Sequence, residues 1–361
     1  SSFSGLKFLW MKGFTLRSLR LLSRKVGSLW SPLNRKSFRS LLPKLLLKWN
    51  CPGKAFPKVP IESVVSLVII IRMTHSSPSQ RWALRTQTLE FGSLPTIMGI
   101  VNVTPDSFSD GGQFHDPQVA VRHALQLVAD GAGILDIGGE STRPYSDPVG
   151  VQEELDRVIP VVEQLSLQTD VPISIDTSKA AVAAAAVAAG AQIINDVTGL
   201  EGDPGMLQVA RETGAGVCAM HMQGTPQTMQ DNPTYQDVVA EIFGYLKCRR
   251  DALIEAGLDS EKICLDPGIG FGKTHEHNLQ LLKSCRDFHD LGCPLLVGHS
   301  RKGFIAHVLD DRECERMSGT VGAALGLASQ GVQVIRVHDV VELHRALILY
   351  QQTFPDGKLS R

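Results

Sequence analysis

Residues 96–112 read TIMGIVNVTPDSFSDGG. The first part, 97–103, is a short apolar, β-branched run of the length of a buried strand. It then breaks into a polar loop that Pro105 opens and the pair Gly111 and Gly112 closes. Asn102 stands at the end of the strand, where its amide reaches a metal or a phosphate oxygen. The loop adds hydroxyls, the carboxylates of Asp106 and Asp110, and the ring of Phe108. Alone, such a loop is an ordinary surface turn. Its weight comes from the repetition of the same design along the chain.

Residues 82–91 precede it and read as a short strand or hairpin. Seven further apolar runs follow, at 133–137, 172–175, 192–194, 216–220, 263–265, 295–297 and 332–335. Helical patterns separate them, at 117–129, 152–167, 180–189, 206–212 and 236–256, from about 276, in a run up to 328, and at 340–350. Eight strands alternating with eight helices over ~270 residues have the rhythm of a parallel (β/α)8 TIM barrel. A doubly wound open sheet is the alternative, but no G-x-G-x-x-G follows the first strand.

A barrel gathers the C-terminal ends of its strands at one mouth, where barrel enzymes work. Here those ends carry Asn102, Asp136, Asp176, Asn195, His221, Asp266, Ser300 to Lys302, Arg336 and His338. So many buried polar groups are costly unless something satisfies them. Asp176, Asn195 and Asp266 suit a flat, nitrogen-rich heterocycle. Arg301 and Lys302 would compensate the charge of Asp266. On the other side, Arg336 and His338 would join Arg143 in an anion site. Asn102 and Asp110 could hold Mg²⁺ on a pyrophosphate.

Composition frames this reading. The 361 residues are 43% hydrophobic and 20% charged, as in a globular protein with a sizeable core. The net charge of −1 conceals an asymmetry, for 14 of the 36 basic residues but only Glu62 among the 37 acidic ones fall in 1–72. That head is read as a basic extension without a fold of its own. An organelle transit peptide, a basic tail for nucleic acid or lipid, and sequence outside the working protein are the readings open to it. The third is preferred, because composition turns ordinary at Met73, so 73–361 is expected to fold and work alone. The apolar run at 64–71 is much shorter than the ~20 residues a membrane span needs. Seven scattered cysteines with no C-x-x-C point to a reducing compartment, and against a disulfide framework or structural zinc.

The segments IVNVTPDSFSDGG, LDIGGESTRP, ISIDTSK, IINDVTG, MHMQGTP, LDPGIGFGK, GHSRKGF and IRVHDV, in that order, resemble the dihydropteroate synthase family over nearly all of 73–353. The resemblance implies a Mg²⁺-dependent transferase of folate biosynthesis. It would join (7,8-dihydropterin-6-yl)methyl diphosphate to 4-aminobenzoate and release diphosphate. It implies that Asp176, Asn195, Asp266 and Lys302 hold the pterin between Val197, Met220 and Phe271. Asn102 would meet the metal and diphosphate, and Arg143, Arg336 and His338 the diphosphate. Phe108, Asp110, Thr142, Arg143 and Pro144 would close over the aminobenzoate, with Asp110, Arg143 and Lys302 in the chemistry. Where many members carry Ser after S-R-K, this chain has Gly303, so the substrate carboxylate is expected on backbone N–H at a helix start. The family further implies a cytoplasmic homodimer acting on small molecules, with no nucleic acid or membrane partner.

Two other functions stay open. A methyltetrahydrofolate–corrinoid methyltransferase has a similar barrel, without need of the S-T-R-P loop, and a non-catalytic pterin binder is the third reading. His275 and His277 have metal-like spacing but open a helix without a third ligand nearby, and are read as structural. His299 is expected to pack without chemistry. Asp136 is read as bonding either loop backbone or ligand.

Overall fold

The computed structural model describes residues 78–104, 117–141 and 146–353. The chain divides into two units, Ser1–His75 and Ser76–Arg361, and the barrel and its site lie in the second. The expected boundary at 72/73, and Phe108, Asp110, Thr142, Arg143 and Pro144, fall outside the described residues.

A hairpin of β1 (Arg81–Ala83) and β2 (Thr88–Glu90) leads in. Eight parallel strands follow: β3 (Thr96–Asn102), β4 (Ile134–Gly138), β5 (Ile173–Asp176), β6 (Ile193–Asp196), β7 (Gly216–Met220), β8 (Ile263–Asp266), β9 (Leu296–Gly298) and β10 (Val334–Val337). Their order is β8-β7-β6-β5-β4-β3-β10-β9, every neighbour parallel. A parallel bridge from Leu265 to Leu295 and the bond from Leu265 N–H to Pro294 O at 3.0 Å close β8 onto β9. This is the expected (β/α)8 barrel.

The helices between strands are α1 (Pro117–Ala129), α2 (Val151–Ser166), α3 (Ala180–Ala189), α4 (Met206–Thr213), α5 (Val238–Glu255), α6 (His275–Lys283), α7 (Gly303–Leu309) and α8 (Met317–Ala328), with α9 (Val340–Thr353) after β10. The helical run expected to reach residue 328 without interruption is in fact two helices. Asp310 stops α7 in the left-handed region at φ 52°, and the charged stretch Asp310 to Glu313 that follows has no apolar face to bury. Among the described residues no helix is long and apolar enough to cross a membrane.

The core has two layers. Outward-facing Leu135, Ile137, Ile175, Ile194, Val217, Leu265, Val297 and Ile335 pack under the helices. Inward-facing Met98, Ile134, Ile193, Cys218, Cys264, Leu296 and Val334 form a second cluster, which the hairpin joins through Trp82 and Leu84. Trp82 is fully buried, and its indole N–H bonds Lys262 O at 2.9 Å. The lower half of the barrel interior is therefore apolar and closed by the hairpin. Side chains alternate with period two along a strand, so the next inward positions form the upper layer.

Candidate active site

That upper layer is polar. On β4 the inward residue after Ile134 is Asp136; on β10, after Val334, it is Arg336; on β8, after Cys264, Asp266; on β6, after Ile193, Asn195. Asp176 follows Ser174 on β5. Asp136 is fully buried, and Asp176, Asn195 and Asp266 are at most 9% exposed. Register sets them side by side, with Gly138 opposite Asp176, Asp176 opposite Asn195, and Met220 opposite Asp266.

Arg336 knits the layer together. Its Nε donates to Asp136 Oδ2 at 2.6 Å and its Nη2 to Asp176 Oδ2 at 2.7 Å. Asn195 Nδ2 donates to Asp136 at 3.2 Å. The sequence placed Arg336 in an anion site with His338 and Arg143; its guanidinium also bonds the carboxylates of the heterocycle side, a link the sequence did not show. It also decides Asp136, which holds Arg336 and Asn195 rather than loop backbone.

The turn after β8 completes the layer. Asp266 Oδ1 accepts the Gly268 N–H at 2.7 Å. Lys302 reaches over the turn, its ammonium 4.4 Å from the centre of the Phe271 ring and bonded to Ile269 O. Gly270 permits this approach. Its φ is 83°, and a Cβ there would lie 2.7 Å from Lys302 Cδ. Arg301, expected beside Asp266, is not there. Its φ of 56° turns it outward onto Asp339, with Nε to Oδ2 at 3.0 Å. Sequence proximity to Lys302 suggested a shared target, and the left-handed backbone separates them.

Burial governs the protonation of the layer. It pushes Asp176 up to about 7, against the pull of the Arg336 charge, with Asp136, Glu154 and Asp196 pushing the same way as burial. It pushes Asp266 up to about 6, opposed by the Gly268 N–H and by Lys302, Lys273 and Arg336. It lowers Lys302 to about 7, opposed chiefly by Asp266. Burial also works against the charge on Arg336, but Asp136 and Asp176 more than restore it. Three groups that titrate near neutrality around one space, in a barrel mouth, mark a functional site. They can match a heterocycle that both donates and accepts hydrogen bonds.

The other expected residues surround this layer. Val197 and Met220 are buried, and Phe271 is half-buried under Lys302. Asn102 ends β3, half-buried. His338 follows β10, and its Nδ1 lies 3.0 Å from Ser300 Oγ. Gly303 is the exposed first residue of α7. His299 is buried, with Nε2 2.9 Å from Thr320 O; burial lowers it to about 4 and keeps it neutral. His275 stacks on His307 with ring centres 4.6 Å apart, and His277 closes a capping box with Thr274 at the start of α6.

Sequence reading missed two amines, the half-buried Lys179 and the buried Lys273. Lys179 joins Glu140 and Glu154 at 2.7 and 2.5 Å, behind the strand end that carries Asp176. Lys273 lies 3.1 Å from His221 Nδ1. A lysine in an otherwise apolar or glycine-rich turn was the available signal for the second.

A barrel with this buried acid, amide and lysine layer belongs to a known class. The family described as pterin binding enzyme matches residues 98–338, and the chain belongs to it. Among the relatives it matches are dihydropteroate synthases. The Escherichia coli K12 enzyme of that name is 49% identical over 261 residues, covering 72% of this chain and 92% of that one. A solved Xanthomonas albilineans dihydropteroate synthase with 4-aminobenzoic acid is 46% identical, with a TM-score of 0.71, over 77% of this chain and all of that one. The same organism's enzyme in complex with 7,8-dihydropteroate is 44% identical, with a TM-score of 0.69, over 76% of this chain.

Proposed function

We infer that this chain condenses (7,8-dihydropterin-6-yl)methyl diphosphate with 4-aminobenzoate, giving 7,8-dihydropteroate and diphosphate. The observation that carries it is the layer of buried Asp176, Asn195 and Asp266 with half-buried Lys302 beside them, in a chain related over its whole barrel to dihydropteroate synthases. The fold itself gives Asp266 one backbone N–H, and burial disfavours its charge. A bound pterin supplies the missing N–H donors, while Lys302 turns its ammonium to the ring carbonyl.

The reaction breaks the bond from the pterin methylene to diphosphate oxygen and forms one to the aminobenzoate nitrogen, which loses a proton to water. Positive charge develops on the pterin as diphosphate leaves. Fixed groups aimed at developing charge are usually the largest catalytic term. Asp176 and Asp266 favour the pterin cation. Arg336, shared between the carboxylates of Asp136 and Asp176, is assigned with His338 to the leaving diphosphate. His338, steadied by Ser300, stands on the same strand end.

The residues present fit Mg²⁺. Asn102 offers one hard amide oxygen at the end of β3, the strand paired with β10, and Mg²⁺ takes its other ligands from phosphates and waters. Bound there, Mg²⁺ would neutralise the diphosphate. The aminobenzoate site is assigned to Gly303 with Phe108, Asp110, Thr142, Arg143 and Pro144, and the working form to a cytoplasmic homodimer. The test is diphosphate release by the full chain with Mg²⁺. Release that needs both substrates is expected, and none above blank would overturn the reading.

A further inference from the structure

We propose that Lys273 is a positioning residue for the pterin pocket, acting through Phe271 and the turn that carries Asp266. The proposal rests on the transferase reading above.

The turn from Asp266 to Lys273 is pinned from two sides. From the site side, Lys302 bonds Ile269 O and covers the Phe271 ring. From behind, Lys273 Nζ donates to Phe271 O at 2.8 Å and to His221 O at 3.3 Å, and meets His221 Nδ1 at 3.1 Å. Lys273 is 2% exposed, and each of these partners is uncharged. Burial pushes its ammonium well below the ordinary lysine value, with the Asp266 charge opposing. His221 is neutral, lowered to about 3 by burial and then by the Lys273 charge.

His221 is itself fixed. Its N–H bonds Asp266 O at 3.0 Å, and Tyr245 meets its ring edge-on at 4.8 Å. Tyr235 adds a second tie to the same turn, with its hydroxyl on Gly272 O at 2.8 Å. One amine therefore joins the end of β7, behind Met220, to the backbone of Phe271. Met220 and Phe271 are two of the three side chains assigned to the pterin faces. A long amine buried at this point spans a gap that no short residue bridges. Displacing Phe271 would also displace the Lys302 ammonium above it.

The test uses the full chain with Lys273→Met, Lys273→Ala and Tyr235→Phe, both substrates varied, and thermal unfolding recorded alongside. Lys273→Met and Lys273→Ala are expected to lower kcat/KM for the pterin diphosphate by about ten- to a hundredfold, the scale of a misplacement of about 1 Å. KM for 4-aminobenzoate stays within about twofold, since the turn carries residues assigned to the pterin and none assigned to the aminobenzoate. Tyr235→Phe, at a half-buried position, raises the pterin KM a few-fold only. Equal losses toward both substrates, or parent-like kinetics in folded variants, would overturn the proposal. If the Lys273 variants do not fold, Tyr235→Phe decides, and an unchanged pterin KM overturns it. Absence of diphosphate release by the parent would instead overturn the reaction assignment itself.

Discussion

Arg336 on β10 reaches Asp176 on β5 at 2.7 Å, passing over β3 and β4 to do so. The barrel mouth is thus crossed by one guanidinium, and its other arm holds the fully buried Asp136. Arg336→Met would leave both carboxylates without their cation. Breaking a buried pair from one side costs about 3–5 kcal/mol. Urea unfolding at pH 8 should show a loss of that order. The loss should shrink at pH 5.5, where Asp176, already raised to about 7, takes up a proton. Parent-like stability at pH 8 would refute the bridge.

Asp266→Asn should trade stability against turnover. A carboxyl raised to about 6 in the fold carries a penalty that is full above that pH and vanishes below the ordinary carboxylate range. The amide removes it. The ligand-free variant should be more stable than the parent by about 2–3 kcal/mol at pH 8, for a rise of roughly two units at 1.36 kcal/mol each. The gain should disappear near pH 4. Turnover should fall ~10²–10³-fold, as it should for Lys302→Ala. A variant both as active and as stable as the parent would remove Asp266 from the site.

Activity should be confined to a narrow pH range. Asp176 and Asp266 must be ionised, so kcat/KM for the pterin diphosphate falls as pH drops through about 7 and 6. Lys302 must be charged, so it falls again as pH rises through about 7. The groups share one layer, so the two limbs belong to the set rather than to single residues. A bell with its maximum near neutrality is expected from initial rates between pH 5 and 9. A plateau from pH 5.5 to 8.5 would contradict the assigned protonation.

Binding should be ordered. The deep layer is assigned to the pterin, whereas the residues assigned to the aminobenzoate, Gly303 apart, belong to the segments after β3 and β4, whose sequences carry Gly and Pro as lids do. Calorimetry should find 4-aminobenzoate, and sulfonamides that mimic it, weakly bound to the free protein. Binding should be tight once Mg²⁺, pyrophosphate and a pterin are present. Equal affinity in both conditions would exclude closing loops.

The barrel was legible because its signal is local. Eight apolar runs, each ending in a polar residue, give strands and mouth together, and the structure moves their ends by only one or two residues. Asp176, Asn195 and Asp266 followed from position alone. What escaped was pairing across the barrel. Period two says that Arg336 and Asp136 face inward, but not that a long side chain will reach a carboxylate three strands away. Arg301 failed for the opposite reason, since one left-handed residue reversed the direction its sequence neighbours implied. The partners of Lys273 and Lys179 were not legible, because backbone carbonyls and distant acids leave no spacing pattern; for Lys273 only its place in a glycine-rich turn was a signal.

The most direct measurement follows both products of one reaction by mass spectrometry, using the full chain, Mg²⁺, the pterin diphosphate and 4-aminobenzoate. The account predicts 7,8-dihydropteroate and diphosphate in equal amounts, with neither formed when 4-aminobenzoate is left out. Diphosphate released alone, with the pterin methylene captured by water at the same rate whether or not 4-aminobenzoate is present, would contradict it.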